Sequence, residues 1–263
     1  MPDLLKSVED GVMKIVLNRP EAMNALSRDM LTAFGDALNE AAESRDIGCV
    51  VVRGAGEKAF CAGGDVKSMA AGRDQSKTYE DKVHDIRIRM QVSELLHEMG
   101  KPTIAMVNGV AAGAGLSIAL ACDLRYATPG IVLTTAFAKV GFAGDYGGTW
   151  FLTRLVGSGK ARELYYFSDK LSAEDAERLG IVNAIFPIET FADEVAERAR
   201  RLAAGPTVAY RYMKENLNRA VHGELGECLD MEAAHHIRTG QTEDHKEAAK
   251  AFVEKRPPTF RGR

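Results

Sequence analysis

The sequence predicts an α/β fold with a helical C-terminal third. Three observations carry this reading. Short apolar runs at residues 12–18, 49–53, 103–107, 124–127 and 131–134 have the length and composition of strands. Segments with apolar residues at helical spacing alternate with them, which implies a layered α/β architecture. After Ile188 no strand-like run remains, and residues 190–204, 206–221, 224–238 and 242–254 all read as helices. The chain therefore divides into a core, residues 1–189, and a helical region, residues 190–263, whose apolar faces suit oligomerisation or a lid.

Taken in order, the first strand ends at Arg19-Pro20, because proline cannot continue a ladder. Ser27 is placed to cap a helix running to about Ser44, with Met30, Leu31, Phe34 and Leu38 on one face. The run at 49–53 is a buried strand. Residues 72–78 are polar and read as a mobile loop. One helix is expected from Lys82 to Met99, closed by Gly100-Lys101-Pro102. Strand 103–107 then leads into a small-residue helix at 115–122. A further helix starts near Gly148, and Gly205-Pro206 and Gly240 separate the C-terminal helices. No low-complexity segment or convincing sequence repeat is visible.

Composition sets outer bounds. The chain has 263 residues, enough for one large domain or a domain plus an appendage, and its 46% hydrophobic and 27% charged content is the profile of an ordinary soluble protein. A formal charge of −3 gives no reason to expect nucleic acid or an acidic membrane as partner. No signal peptide and no bilayer-spanning run are evident. Four scattered cysteines show no metal spacing and suit reduced, buried thiols in the cytoplasm.

Two turns of small residues carry the chemistry. Phe60-Cys61-Ala62-Gly63-Gly64-Asp65 follows the strand at 49–53, and Asn108-Gly109-Val110-Ala111-Ala112-Gly113-Ala114-Gly115 follows the strand at 103–107. Small residues let a ligand approach the backbone and tolerate dihedrals that aim N–H groups outward. Two such turns can supply two donors to one developing oxyanion.

These motifs resemble the crotonase superfamily, the enoyl-CoA hydratase/isomerase family, over nearly the whole chain. The resemblance runs through LNRPEAMNALS (17–27), FCAGGD (60–65), VNGVAAGAG (107–115), GDYGGTWFLTRLVG (144–157), LSAEDAERLGIV (171–182) and TEDHKEAAKAFVEKRPP (242–258). It implies a spiral of ββα turns, with C-terminal helices that build a trimer or a dimer of trimers. It implies an acyl-CoA thioester as substrate, with its carbonyl between the N–H groups of Gly64 and Ala114. Coenzyme A would be part of the substrate, and no separate cofactor or metal is implied. The CoA nucleotide is expected near Ala22, Met23 and Ala25, and near Ala62, Gly63, Asp65, Val66 and Lys67. Phe252 and Lys255 would reach it from a C-terminal helix of a neighbouring subunit.

The chain departs from the hydratases of that family at the two glutamate positions. Alignment places Ser117 at the first and Phe137 at the second, so the two-glutamate hydration mechanism is not available. Ser117 in a helix interior is expected to bond back to the previous turn. Phe137 makes an apolar wall, which raises the pKa of a nearby carboxylate. Asp145 offers that carboxylate. It matches the catalytic aspartate of the isomerase type acting on ring-epoxidised phenylacetyl-CoA, whose AFSKLGL-x-PDCGGTW is similar to AFAKVGFAGDYGGTW here. The same position is the nucleophile of 4-chlorobenzoyl-CoA dehalogenase, but Met90 stands where that enzyme has its histidine base and Phe137 where it has a tryptophan. Without the resemblance, Asp145 reads as an N-cap or Asx-turn residue ahead of the following helix.

The expected function is an acyl-CoA isomerase or related lyase in which Asp145 moves a proton on an enolate held by two N–H donors. Three alternatives stand beside it: hydration with Asp145 as sole acid/base and Ser117 holding water, nucleophilic attack by Asp145, and non-catalytic acyl-CoA binding. Phe137, Phe142, Tyr146 and Trp150 hint at an aromatic, cyclic or branched acyl group. The histidines, among them His84, His97, His235, His236 and His245, read as surface or interface residues. Arg87, Gln91 and Glu94 read as a solvated stripe, and Asp123 and Glu163 as structural.

Overall fold

The computed structural model describes residues 1–65 and 76–263. Most of the polar stretch read as a mobile loop, and the candidate residues Val66 and Lys67, lie outside the described residues.

Strands β1 (Leu4–Glu9) and β2 (Val12–Leu17) form an antiparallel hairpin. Its two-residue turn, Asp10-Gly11, has φ of 50° and 73°. Both residues left-handed is the turn that matches strand twist, and an Asp-Gly pair suits it. Strands β3 (Cys49–Gly54), β5 (Thr103–Val107), β7 (Leu124–Ala127) and β9 (Ala184–Ile185) continue the sheet in parallel, in the order β1-β2-β3-β5-β7-β9. A smaller parallel sheet, β4-β6-β8, holds β4 (Ala59–Cys61), β6 (Val110–Ala112) and β8 (Leu133–Thr134). The chain thus makes the same step three times: a strand in the large sheet, a short strand in the small sheet, then helix. This is a structural repeat without a sequence repeat, as a ββα spiral requires.

Helix α1 (Arg28–Glu43) starts where expected, with the Ser27 side chain accepting from the Met30 N–H. The helix read as one from Lys82 to Met99 is two, α2 (Tyr79–Arg89) and α3 (Gln91–Glu98). The chain turns at Met90 (φ −70°, ψ −10°), where the Ser93 N–H bonds the Met90 carbonyl, an i→i−3 turn. Neither glycine nor proline marks the break, so the sequence hides it. Thr78 and Asp81 close a capping box that starts α2 before the expected Lys82.

Helix α4 (Ala114–Ala121) has all eight residues buried. It has no polar face because it is enclosed by the spiral. Helix α5 (Gly148–Phe167) is broken at Gly157, whose φ of 77° and ψ of 162° only glycine adopts easily. Helix α6 (Ala173–Arg178) leads to β9. Helix α7 (Ile188–Ala203) covers the outer face of the large sheet through Phe191, Val195 and Ala199, packed with Cys49, Val51, Ile104 and Met106. Helix α8 (Thr207–Ala220) is tied to the core by Lys214, whose Nζ donates to the Leu96 carbonyl and to Asp123. Asp123 also accepts from the Thr103 N–H and hydroxyl, which fixes its structural role. Helices α9 (Leu225–Gly240) and α10 (Glu243–Val253) close the chain and leave Leu225, Leu229, Ile237, Phe252 and Val253 exposed.

Candidate active site

The two small-residue turns lie side by side because their strands pair. β4 and β6 are parallel neighbours, with Ala59 opposite Val110 and Cys61 opposite Ala111. The chain therefore leaves both strands at the same edge of the small sheet. Gly63 has φ of +91°, and a Cβ there would lie 2.7 Å from the Ala112 carbonyl oxygen and 3.3 Å from the Ala114 nitrogen. A Cβ on Gly115 would run into the Cys61 carbonyl. Glycine at these positions is what lets the turns touch.

Gly113 (φ 52°, ψ −125°) redirects the chain into α4. The first hydrogen bond of that helix runs from the Ser117 N–H to the Gly113 carbonyl, 3.0 Å. The Ala114 N–H therefore precedes the helical ladder and stands at its positive end. On the other turn, Gly64 forms a parallel bridge with Leu26, and the Leu26 N–H donates to the Gly63 carbonyl, 2.8 Å. Gly64 keeps partial exposure while Gly63 is buried.

The segment before α1 is held against the first turn. The Ala62 N–H donates to the Met23 carbonyl at 3.0 Å. Arg19 donates to the Ala25 carbonyl at 2.9 Å and pairs with Asp65 at 3.2 Å. Met23 and Asn24 both have φ of 54°, and the buried Asn24 amide holds that bend by donating to the Ala55 and Ala59 carbonyls. The segment from Met23 to Leu26 thus lies against Ala62, Gly63 and Asp65. Phe252 and Lys255 are not brought there within the chain. Phe252 is 86% exposed and Lys255 is exposed as well.

Asp145 sits in a run of left-handed backbone, with φ of 115° at Gly144, 50° at Tyr146 and 74° at Gly147. The cap of α5 is Gly147, and no side chain caps that helix. The N-cap reading of Asp145 is therefore corrected: only its carbonyl is engaged, accepting from the Gly148 N–H at 3.1 Å. Its Oδ1 is buried and has no hydrogen-bond partner among the described residues. Burial pushes its carboxyl up to about 6. Its charge bears on Cys61, in the first turn, and on Tyr146 and Tyr165. Phe137 is buried, 6% exposed. Its ring stacks on Tyr165 with centroids 5.8 Å apart and lies 3.8 Å from where a Cβ on Gly113 would stand. Ser117 bonds back to the Gly113 carbonyl through its hydroxyl, 3.2 Å, as expected.

Tyr165 was not legible from sequence. It lies in α5 beyond the Gly157 break, and the charge of Asp145 bears on it. A Cβ on Gly144 would lie 3.2 Å from the Tyr165 ring.

The family model described as Enoyl-CoA hydratase/isomerase matches residues 7–263. The chain belongs to that family. It is 35% identical over 264 residues to the 1,2-epoxyphenylacetyl-CoA isomerase of Escherichia coli, covering 100% of both chains. It is 36% identical over 249 residues to a putative enoyl-CoA hydratase/isomerase of Bacillus subtilis, covering 94% of each. Among solved structures, a putative enoyl-CoA hydratase/isomerase from Mycobacterium abscessus superposes with a TM-score of 0.92 at 36% identity, over 99% of this chain and 100% of that one. An enoyl-CoA hydratase from Bacillus anthracis gives 0.92 at 32% identity, over 99% and 100%. The spiral fold is thus that of the enoyl-CoA hydratases and isomerases.

In this member of the family, a cavity of about 730 Å³ lies behind Tyr146, between α3, the start of α5 and α8. Met90, His97, Tyr146, Trp150 and Phe151 line it, and Arg87 and Glu94 pair across its rim at 2.7 Å. His97 is half-buried. It packs edge-on against Trp150 and Phe151, centroids 5.1 and 5.3 Å away, and burial depresses its pKa. Among the described residues, no group of three His, Cys, Asp or Glu side chains converges as metal ligands. Cys49, Cys61 and Cys122 are buried, and burial pushes each thiol up to about 12, which favours the neutral form.

Asp145 also predicts a stability signature. Its folded pKa is raised, so the native state binds more protons than the unfolded chain between about pH 4 and 6. Stability therefore falls as pH rises through that window. Asp145→Asn is expected to be more stable than the parent at pH 8, by roughly 1–2 kcal/mol given the partial exposure of the side chain, with no gain at pH 4. Urea unfolding at both pH values checks this, and an equal difference at both would contradict it.

Proposed function

We propose that this chain is an acyl-CoA double-bond isomerase using one carboxylate. The thioester oxygen lies between the N–H groups of Gly64 and Ala114. Asp145 takes a proton from the α or γ carbon of the enoyl group. The electron pair left behind spreads over the conjugated enolate, whose oxygen gains from both donors. Asp145 then returns the proton at the other end, and the double bond has moved. Coenzyme A is part of the substrate, and the step needs no metal or redox cofactor.

The observation that carries this reading is the buried, unpartnered Oδ1 of Asp145 beside the joined turns. A carboxyl that burial pushes up to about 6 is suited to take and return a proton near neutral pH. Hydration is less well supported. The Ser117 hydroxyl is committed to the Gly113 carbonyl, and the second carboxylate position holds Phe137. The CoA nucleotide is placed along Ala22–Ala25 and Ala62–Asp65, with Val66 and Lys67 following. Phe252 and Lys255 join it from another copy in a trimer or dimer of trimers. The exposed apolar residues of α9 and α10 favour such an assembly. Buried, reduced cysteines accord with a cytoplasmic setting.

The test is a panel of 2-enoyl and 3-enoyl CoA thioesters in deuterated water. Double-bond movement with deuterium incorporation and no added water is expected. A gain of the mass of water would replace isomerisation by hydration. The pH profile is a second check. Asp145 acts as a base, so kcat/KM is expected to fall about tenfold per pH unit below about 6 and to level off above it. A flat profile from pH 4.5 to 8 would remove Asp145 from the proton transfer.

A further inference from the structure

The cavity of about 730 Å³ has the size of a ligand pocket rather than of a packing defect. Its inner wall holds Tyr146 and Gly147, the two residues that follow Asp145. The cavity therefore begins one peptide unit from the proposed base, about 3.8 Å from Cα to Cα. Trp150 and Phe151 pack edge-on to each other, centroids 5.0 Å apart, and His97 packs edge-on to both. With Met90 they give the cavity flat, mostly apolar walls that suit a ring.

Two polar side chains of α3 interrupt this lining. Ser93 and His97 stand one turn apart on the same helix face, and both border the cavity. Ser93 is 4% exposed, and its hydroxyl has no hydrogen-bond partner among the described residues. A helical serine often bonds back to a carbonyl one turn earlier, as Ser117 does. For Ser93 that turn is where the chain breaks at Met90, and the Met90 carbonyl takes the Ser93 N–H instead. A buried hydroxyl left unpaired costs stability, so this one is poised for a partner from outside the chain. Asn218 of α8 donates to the His97 carbonyl at 3.1 Å and so fixes that residue. Burial lowers the His97 pKa, and the neutral ring carries one donor and one acceptor. Both arginines of the cavity are already paired, Arg87 with Glu94 and Arg219 with Glu227. An anionic substituent would have to break one of those pairs, whereas a neutral oxygen would not.

We infer that this cavity selects a cyclic acyl group carrying a neutral oxygen, a hydroxyl or carbonyl, that pairs with the Ser93 hydroxyl. The ring lies against Trp150 and Phe151 while the thioester end stays at the two turns. Ser93 is then the residue that separates oxygenated rings from plain ones. A site built to hydrogen-bond a substituent rejects the analogue lacking it, because its own polar group is left unpaired. The inference rests on the acyl-CoA isomerase reading proposed above and names the substrate class for it.

The experiment titrates phenylacetyl-CoA, 3-hydroxyphenylacetyl-CoA and 4-hydroxyphenylacetyl-CoA into wild type and Ser93→Ala by calorimetry. Exchange at the α carbon in deuterated water is followed for each thioester by mass spectrometry. One hydroxylated ring is expected to bind wild type with a Kd roughly three- to tenfold below that of phenylacetyl-CoA, the range one hydrogen bond supplies. In Ser93→Ala that ratio is expected to fall to about one. Without ligand, Ser93→Ala should unfold at no lower urea concentration than wild type, because the change removes an unpaired buried hydroxyl. Exchange with equal Kd values for all three thioesters in wild type would overturn the inference and leave the isomerase reading standing. A preference that survives in Ser93→Ala would do the same. Loss of stability in that variant would give the hydroxyl a partner within the chain and also overturn the inference. No exchange with any of the thioesters would count against the isomerase reading itself, and the substrate assignment of the cavity would go with it.

Discussion

Asp145→Asn is expected to lose isomerisation and deuterium exchange on the order of 10²–10⁴-fold while still binding acyl-CoA. The substitution is nearly isosteric and removes the only function the side chain has been given. No helix loses a cap, because α5 is capped by Gly147. No ion pair is broken, because Oδ1 has no partner among the described residues. An amide cannot accept the substrate proton, and general base catalysis contributes on that scale. The loss belongs in kcat, with KM for the thioester within about threefold, because the CoA contacts and both N–H donors are untouched. Titration calorimetry with a saturated acyl-CoA separates the two effects. Full turnover in this variant would leave the joined turns as a binding site whose chemistry lies elsewhere. Loss of binding together with turnover would mean that Asp145 holds the loop 141–147 rather than the proton.

Local rules made much of this fold legible. Ser27 announces α1, and the apolar runs at 49–53, 103–107 and 124–127 are strands of the large sheet. Short-range chemistry would also have found β1. Asp10-Gly11 is a two-residue hairpin signal, but β1 buries only Leu4 and so lacks the alternation that marks a strand. What stayed hidden depends on partners remote in sequence. β4 and β6 are three residues each and look like parts of turns until they pair with each other. The break at Met90 carries no glycine or proline. In the site, the donor turns and Asp145 could be reached by resemblance. The chemical state of Asp145 could not, since it depends on burial that only the folded chain creates. Tyr165 carries no sequence mark. It lies beyond the Gly157 break, and the absence of a side chain at Gly148 leaves room for its hydroxyl.

Gly63→Ala is expected to lower kcat on the order of 10²–10³-fold, the effect of losing one oxyanion donor. The added methyl would stand 2.7 Å from the Ala112 carbonyl oxygen and 3.3 Å from the Ala114 nitrogen. Both are backbone atoms, so no side chain can rotate away, and the two turns must part. Backbone at φ of +91° also strains any residue with a Cβ. The two costs together should lower stability by roughly 1–3 kcal/mol. Gly130→Ala is the control for strain alone, with φ of +80° and nothing within 4 Å of its Cβ. If both variants lose similar stability in urea but only Gly63→Ala loses kcat, the spacing of the turns is what catalysis requires. Equal kcat in the two variants would mean that the donors act without needing each other, and the pairing of β4 with β6 would then be a matter of packing.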